Sequence, residues 1–192
     1  MTTIPRASAL PDPQPELMTP RLRLRRPARS DAGDVRCLAG DFAVADTTLS
    51  IPHPYPDGGA EAWIDSLVPA YDQGRQAVFA ITDGASGGFC GAVGLTLHLQ
   101  HDRAELGYWV GRPLWGRGYA TEAGRAVLAW GFGALALHRI NARCFVRNPA
   151  SARVLLKLGM RHEGRARGHF RRWDRYEDVD EYGILREEFE TS

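Results

Sequence analysis

The chain has 192 residues, 44% of them hydrophobic and 24% charged, with a formal net charge of +1, the balance of a globular domain long enough to bury a sizeable core. So small a net charge supplies no global field toward nucleic acid or a membrane surface; no apolar run approaches a membrane span, and the N-terminus lacks an apolar signal core. Three widely spaced cysteines, Cys37, Cys90 and Cys144, suit small buried residues in a reducing cytoplasm better than a disulfide framework or a zinc site.

Residues 1–19 carry Pro5, Pro11, Pro13 and Pro15 without periodicity and read as a flexible arm ahead of one domain over 20–192. Arg21-Leu22-Arg23-Leu24-Arg25 alternates, which predicts a strand with its leucines inward. Ser30 or Asp31 can cap a short helix through Leu38, and a second short helix is expected from Phe42 to Thr48. Pro52, Pro54 and Pro56 stiffen an extended loop over 51–59. An amphipathic helix follows from Ala60 to Gln73, with Trp63, Leu67 and Tyr71 on one face. Gln76–Thr82, Phe89–Gln100 and Arg103–Val110 read as an antiparallel meander, joined at Asp83-Gly84, Gly87-Gly88 and His101-Asp102. A helix is expected from Thr121 to Gly133 and a strand from His138 to Val146. Another helix, opened by Pro149, is stopped after Leu158 by Gly159. Met160–Ala166 is a strand, Gly168–Arg175 a polar loop and Tyr176–Arg186 a last strand. The whole is an α/β chain with a mixed, mostly antiparallel sheet.

Between the meander and its helix lies Leu114-Trp115-Gly116-Arg117-Gly118-Tyr119-Ala120-Thr121-Glu122-Ala123. Two glycines one residue apart let several backbone N–H groups turn the same way with no Cβ in front of them. The helix N-terminus adds unpaired N–H groups and partial positive charge, so the place suits a phosphate or pyrophosphate; a plain tight turn is the other reading. The P-loop needs Lys-Ser or Lys-Thr after its last glycine, but Tyr119-Ala120 follows Gly118. The dinucleotide fingerprint needs a small residue where Thr121 stands and an acidic residue about 20 positions on. Neither fits.

A third pattern does. That strand, cradle, helix and strand are followed by Arg147-Asn148-Pro149-Ala150-Ser151-Ala152-Arg153-Val154-Leu155-Leu156-Lys157-Leu158-Gly159-Met160. The combination resembles the GNAT acyl-CoA-dependent N-acetyltransferases, and within them the RimJ/RimL-type branch, which includes ribosomal-protein N-terminal acetyltransferases. The resemblance runs from Leu22 to Glu188 and is densest between Glu105 and Met160. It implies a sheet whose central strands part, flanked by helices, with acetyl-CoA entering the gap as cosubstrate and no metal. It implies that backbone groups of Trp109 and Val110 pair with the pantetheine arm, and that Gly116, Arg117, Gly118, Tyr119, Ala120 and Thr121 take the pyrophosphate. Trp115 stands where the family usually has Gln or Arg and this branch commonly has Trp. Asn148 and Ser151 are implied to face the pantetheine, with Ser151 near the sulfur; local capping of the helix is the alternative. The segment 51–73 resembles a lid over the acceptor pocket, a connector being the alternative, and His53 and Tyr55 would touch substrate or solvent. A homodimer through the last strands is a family-level expectation.

Acetyl transfer to an amine needs a held thioester, a neutral amine and a stabilised oxyanion and thiolate. Glu105 is the leading base, since it alternates with Gly107 and Trp109 on the face opposite Leu106 and Tyr108; an ordinary strand glutamate is the alternative. His98, His53 and Tyr182 are weaker candidates, and His162 and His169 read as surface residues. The tyrosine that many members use as acid for the thiolate falls at Leu155, so Ser151 is its substitute. A thiolate of pKa about 8.5 also leaves without a dedicated acid. Arg161, Arg165, Arg167, Arg171, Arg172 and Arg175, with Phe170 and Trp173 among them, suggest a patch for an acidic acceptor, but Glu163, Asp174, Glu177 and Asp178 dilute it toward a salt-bridged surface. The expectation is a cytoplasmic, single-domain N-acetyltransferase acting on a protein α-amine or a small amine. The rival is a non-catalytic acyl-CoA-binding module of the same fold.

Overall fold

Leu22 and Leu24 are fully buried while Arg23 between them is exposed, as a period-2 strand requires. In the computed structural model, which describes residues 10–190, they lie on β2 (Leu22–Arg25). The other strands are β1 (Leu17–Met18), β3 (Gln76–Asp83), β4 (Phe89–His98), β5 (Arg103–Val110), β6 (Arg139–Phe145), β7 (Arg161–Arg172) and β8 (Arg175–Leu185). They form one sheet in the order β1-β2-β3-β4-β5-β6-β8-β7. Every neighbouring pair is antiparallel except β5 and β6. That parallel pair needs a crossover, which α4 (Tyr119–Gly133) supplies.

The remaining helices are α1 (Ala32–Ala39), α2 (Phe42–Ala45), α3 (Gly59–Asp72), α5 (Pro149–Lys157) and α6 (Arg186–Glu190). Phe79 and Ile81 on β3 join the main core with Val127 and Leu128 of α4 and Leu155 of α5. Ala80, between them, joins a smaller core with Val35 of α1 and Ile64 of α3. Alternation along β3 therefore places the two cores on opposite faces of the sheet. Among the described residues no helix is long and apolar enough to cross a membrane.

Three expectations of the sequence reading change. Residues 1–9 of the expected arm lie outside the described residues, but 10–19 are laid on the sheet. Leu17–Met18 pairs with β2, Gln14 Nε2 donates to Val78 O at 2.8 Å, Tyr71 Oη donates to Pro11 O, and Leu10 and Leu17 pack on the main core. Proline removes donors and periodicity, but it does not prevent other elements from holding the chain by its carbonyls. The polar run Gly168–Arg175 is not a loop. β7 continues to Arg172 and β8 resumes at Arg175, and the polar residues mark a register irregularity between Ala166 and Phe170. There Gly168 takes a positive φ of 57° and its N–H donates to Asp178 Oδ1 at 2.7 Å. Asp31 stands at the expected N-cap position of α1 but its side chain makes no cap bond there; its carboxylate instead closes the preceding 3-10 turn, accepting from Ala28 N–H at 2.8 Å and from both Arg25 Nη atoms.

Candidate active site

β5 and β6 share only three rungs, Arg103–Arg139, Ala104–Ile140 and Glu105–Asn141. β5 runs on to Val110 and β6 to Phe145, so beyond Glu105 the two strands part. β4 and β5 keep an unbroken register from His98–Arg103 to Gly91–Val110, and Gly111 N–H donates to Cys90 O at 2.9 Å. In an antiparallel ladder the side to which backbone groups point alternates. Trp109, in step with Gly111, therefore turns its N–H and C=O to β4, while Tyr108 and Val110 turn theirs into the gap. Trp109, expected to pair with a cofactor arm through its backbone, thus spends those groups on β4, and the backbone that faces the gap is that of Tyr108 and Val110. The Trp109 ring instead packs on the smaller core beside Phe89. Val110 O accepts from Trp115 Nε1 at 2.6 Å, which leaves the Val110 N–H facing the gap.

At the mouth of the gap, Gly116 and Gly118 have φ of 76° and 81°, a region where a Cβ is strained. A Cβ on Gly116 would meet no atom within 4 Å. The first helical bond of α4 runs from Glu122 N–H to Gly118 O, and no side chain caps the helix. The N–H groups of Tyr119, Ala120 and Thr121 thus have no helical acceptor. Glu122 in the first turn would oppose an anion, but its carboxylate accepts from Thr19 Oγ1 at 2.7 Å and from Arg21 N–H and Nε at 2.9 and 2.7 Å. Burial pushes the Glu122 pKa up, yet these bonds prevail and hold it below the usual carboxylate value. Arg21 also donates to Arg117 O at 3.0 Å and lies over the Tyr119 ring. The Arg117 side chain is exposed. Open-faced glycines, unpartnered N–H groups and two arginines fit a pyrophosphate. Arg21 has no signal in the sequence beyond strand alternation; only the fold brings it here.

Deeper along the gap, Asn148 Oδ1 accepts from Ser151 N–H at 3.1 Å, so these two residues do make the local cap. Ser151 Oγ also lies 2.7 Å from Tyr108 Oη. Burial pushes the Tyr108 phenol far above its usual pKa and raises the Cys144 thiol to about 11. Leu155 is fully buried in the main core. Sequence reasoning found Ser151 but missed Tyr108 and Cys144, whose apolar strand positions look like core.

Glu105 is not part of this cluster. Its carboxylate is gripped by Arg143 Nε and Nη2 at 3.1 and 2.8 Å, on the wall of a polar cavity of about 300 Å³ with His98, Asn141, Glu163 and Glu181. Asn141 Oδ1 is buried there without a hydrogen-bond partner. His53 Nδ1 lies 3.0 Å from Gly40 O, and Tyr55 packs on the smaller core; both line a shallow hollow with Phe42 and Asp41. Four of the six arginines of the hairpin are held by acceptors on the hairpin or on elements beside it. Arg161 meets Glu188, Arg165 meets Asp180, and Arg175 meets Glu177 and Asp46. Arg172 donates to the carbonyls of Ala45, Leu49 and Ile51. This is the salt-bridged surface, not a free basic patch.

Comparison with known proteins agrees with this geometry. The acetyltransferase (GNAT) domain family matches residues 21–161, more than two thirds of the chain. The uncharacterized N-acetyltransferase YoaA of Bacillus subtilis (strain 168) is 31% identical over 174 residues, 90% of this chain and 97% of that protein. A GNAT-family acetyltransferase from Bacillus anthracis superposes with a TM-score of 0.81 at 24% identity, over 90% of this chain and 99% of that one. RimL, a ribosomal L7/L12 α-N-protein acetyltransferase solved with coenzyme A, superposes with a TM-score of 0.80 at 17% identity, over 89% and 98%. Parted strands, a glycine cradle at their mouth and a family match across the same residues lead to one assignment: the chain belongs to the GNAT acetyltransferases, in their RimJ/RimL-like branch, and is an N-acetyltransferase.

Proposed function

We propose that this chain moves an acetyl group from acetyl-CoA to a primary amine, either a protein α-amine or a small-molecule amine, by direct attack in a ternary complex. The observation that carries the reading is the gap between β5 and β6, with an anion cradle at one end and a serine hydroxyl deeper in. Acetyl-CoA supplies an acyl group activated as a thioester. Gly116, Gly118 and the N–H groups of Tyr119, Ala120 and Thr121 bind its pyrophosphate, with Arg21 and Arg117 balancing charge. The Val110 N–H pairs with the pantetheine arm or polarises the thioester carbonyl. Asn148 holds the start of α5 so that Ser151 faces the sulfur. Glu105, kept in place by Arg143, takes the amine's proton directly or through a water.

A second reading, a non-catalytic acyl-CoA-binding module, is favoured by two observations: the closed Glu105–Arg143 pair and Leu155 where many members carry a tyrosine. The fold does not choose an acceptor. The experiment is CoA release with a panel of peptides with different N-termini, polyamines, aminoglycosides and amino acids. Catalysis predicts release with at least one class. Tight acetyl-CoA binding with no release across the panel supports the module.

A further inference from the structure

Tyr108 is a partly buried phenol that the mechanism above does not use. We propose that Tyr108 is a positioning residue for acyl transfer: it fixes the rotamer of the Ser151 hydroxyl so that its one hydrogen points at the departing sulfur. The inference rests on the reading that Ser151 stands at the sulfur, and it adds a residue from β5 to a site otherwise assigned to α5.

A serine hydroxyl has one hydrogen and two lone pairs. Tyr108 Oη approaches Ser151 Oγ to 2.7 Å, whereas the other acceptor near the phenol, Ser151 O, is 3.4 Å away, too long for a good O–H···O bond. The phenol hydrogen therefore goes to Ser151 Oγ and fills one lone pair. With that lone pair taken, the serine hydrogen cannot turn back to the phenol and is left for the gap, where β5 no longer pairs with β6. Asn148 fixes the Ser151 backbone, so both the main chain and the hydroxyl of this residue are set before substrate arrives.

The phenol does not relay a proton. Burial disfavours a tyrosinate at this position, and passing its proton to a thiolate would run uphill. Charge bookkeeping then closes simply. The amine nitrogen bonds to the acetyl carbon, the C–S bond breaks with its electron pair going to sulfur, and the amine proton leaves through Glu105 or water. The thiolate departs hydrogen-bonded to Ser151, and Tyr108 keeps its proton throughout. The groups facing the phenol are Ser151 on α5 and Cys144 on β6; Asp180 on β8 stands behind Cys144.

The test is a double-mutant cycle on turnover with the acceptor that the panel identifies. Ser151→Ala and Tyr108→Phe should each lower kcat about tenfold, the worth of a hydrogen bond made in the transition state, with KM for acetyl-CoA unchanged. The double variant should be no slower than Ser151→Ala alone, because the phenol acts only through the serine. Additive losses, or a Tyr108→Phe enzyme as fast as wild type beside a slow Ser151→Ala, overturn the proposal and leave the role of Ser151 standing. A Ser151→Ala enzyme with wild-type kcat overturns both. If Tyr108→Phe does not fold, 3,5-difluorotyrosine at position 108 keeps the shape and ionises at lower pH. Its kcat should then fall on the alkaline side where wild type does not, and an unchanged pH profile contradicts the proposal.

Discussion

Burial separates residues that look alike in the sequence. Cys37 is exposed, while Cys90 and Cys144 are 3% and 8% accessible. Burial raises both buried thiols, Cys144 to about 11, and the reactive species is the thiolate. Brief iodoacetamide treatment at about pH 8, near the free-thiol range, should add one label to the native protein and three after unfolding, read by intact mass. Cys144 and Tyr108 carry raised pKa values in the fold, so their contribution is complete below the unfolded values and lost as pH rises through the folded ones. For Cys144 the window opens at about 8.5 and closes near 11. Melting temperature should decline across it, and a flat profile would contradict the burial of Cys144. Glu105 makes a different prediction. As the base, its replacement in Glu105→Gln lowers kcat by about 100-fold with acetyl-CoA affinity unchanged. A change within about twofold means that the amine arrives already neutral.

At the scale of elements, the tip of the β7–β8 hairpin is tied to α2 and the chain after it. The Arg172 guanidinium stacks on Trp173 at 3.9 Å and donates to three carbonyls at 2.5 to 3.2 Å. Asp46 gathers Arg147, Arg175 and the Trp173 indole around one carboxylate. Arg172→Ala takes a donor from the part-buried carbonyls of Leu49 and Ile51, each worth about 1–3 kcal/mol, while Ala45 O keeps Thr48. The expected loss in a urea titration is about 3 kcal/mol, and Arg172→Lys recovers little because one ammonium cannot span three acceptors. Stability within about 0.5 kcal/mol of wild type would show that the hairpin tip is not held this way. These ties were not legible in the sequence. The alternation of β2, β5 and β6, the meander and the two helix starts were, because each rests on spacing within one segment. The glycine cradle was legible for the same reason. Arg21 beside the cradle, Arg143 on Glu105 and Tyr108 on Ser151 join segments 38 to 101 residues apart, and no local pattern marks which partners will meet. Only the end of β7, Gly168–Arg172, reads as a loop, because its positions carry arginine and glycine where strands usually carry branched or aromatic residues.

The whole molecule is one sheet that gives up pairing at its centre. Among the described residues seven strand pairings hold it together, and the parallel one is broken off after three rungs. Unpaired strand edges inside a sheet normally cost hydrogen bonds. Here they leave the Tyr108 and Val110 backbone directed at one channel, which on the proposed function a substrate arm would complete as an added strand. The central claim is that acetyl-CoA lies along this channel, and hydrogen exchange with and without acetyl-CoA tests it most directly. Protection should appear at the Val110 amide and across residues 116–121, and not at the hairpin tip over 168–175. Protection at the tip, with the amides of Val110 and 116–121 exchanging as in the free protein, would contradict the account.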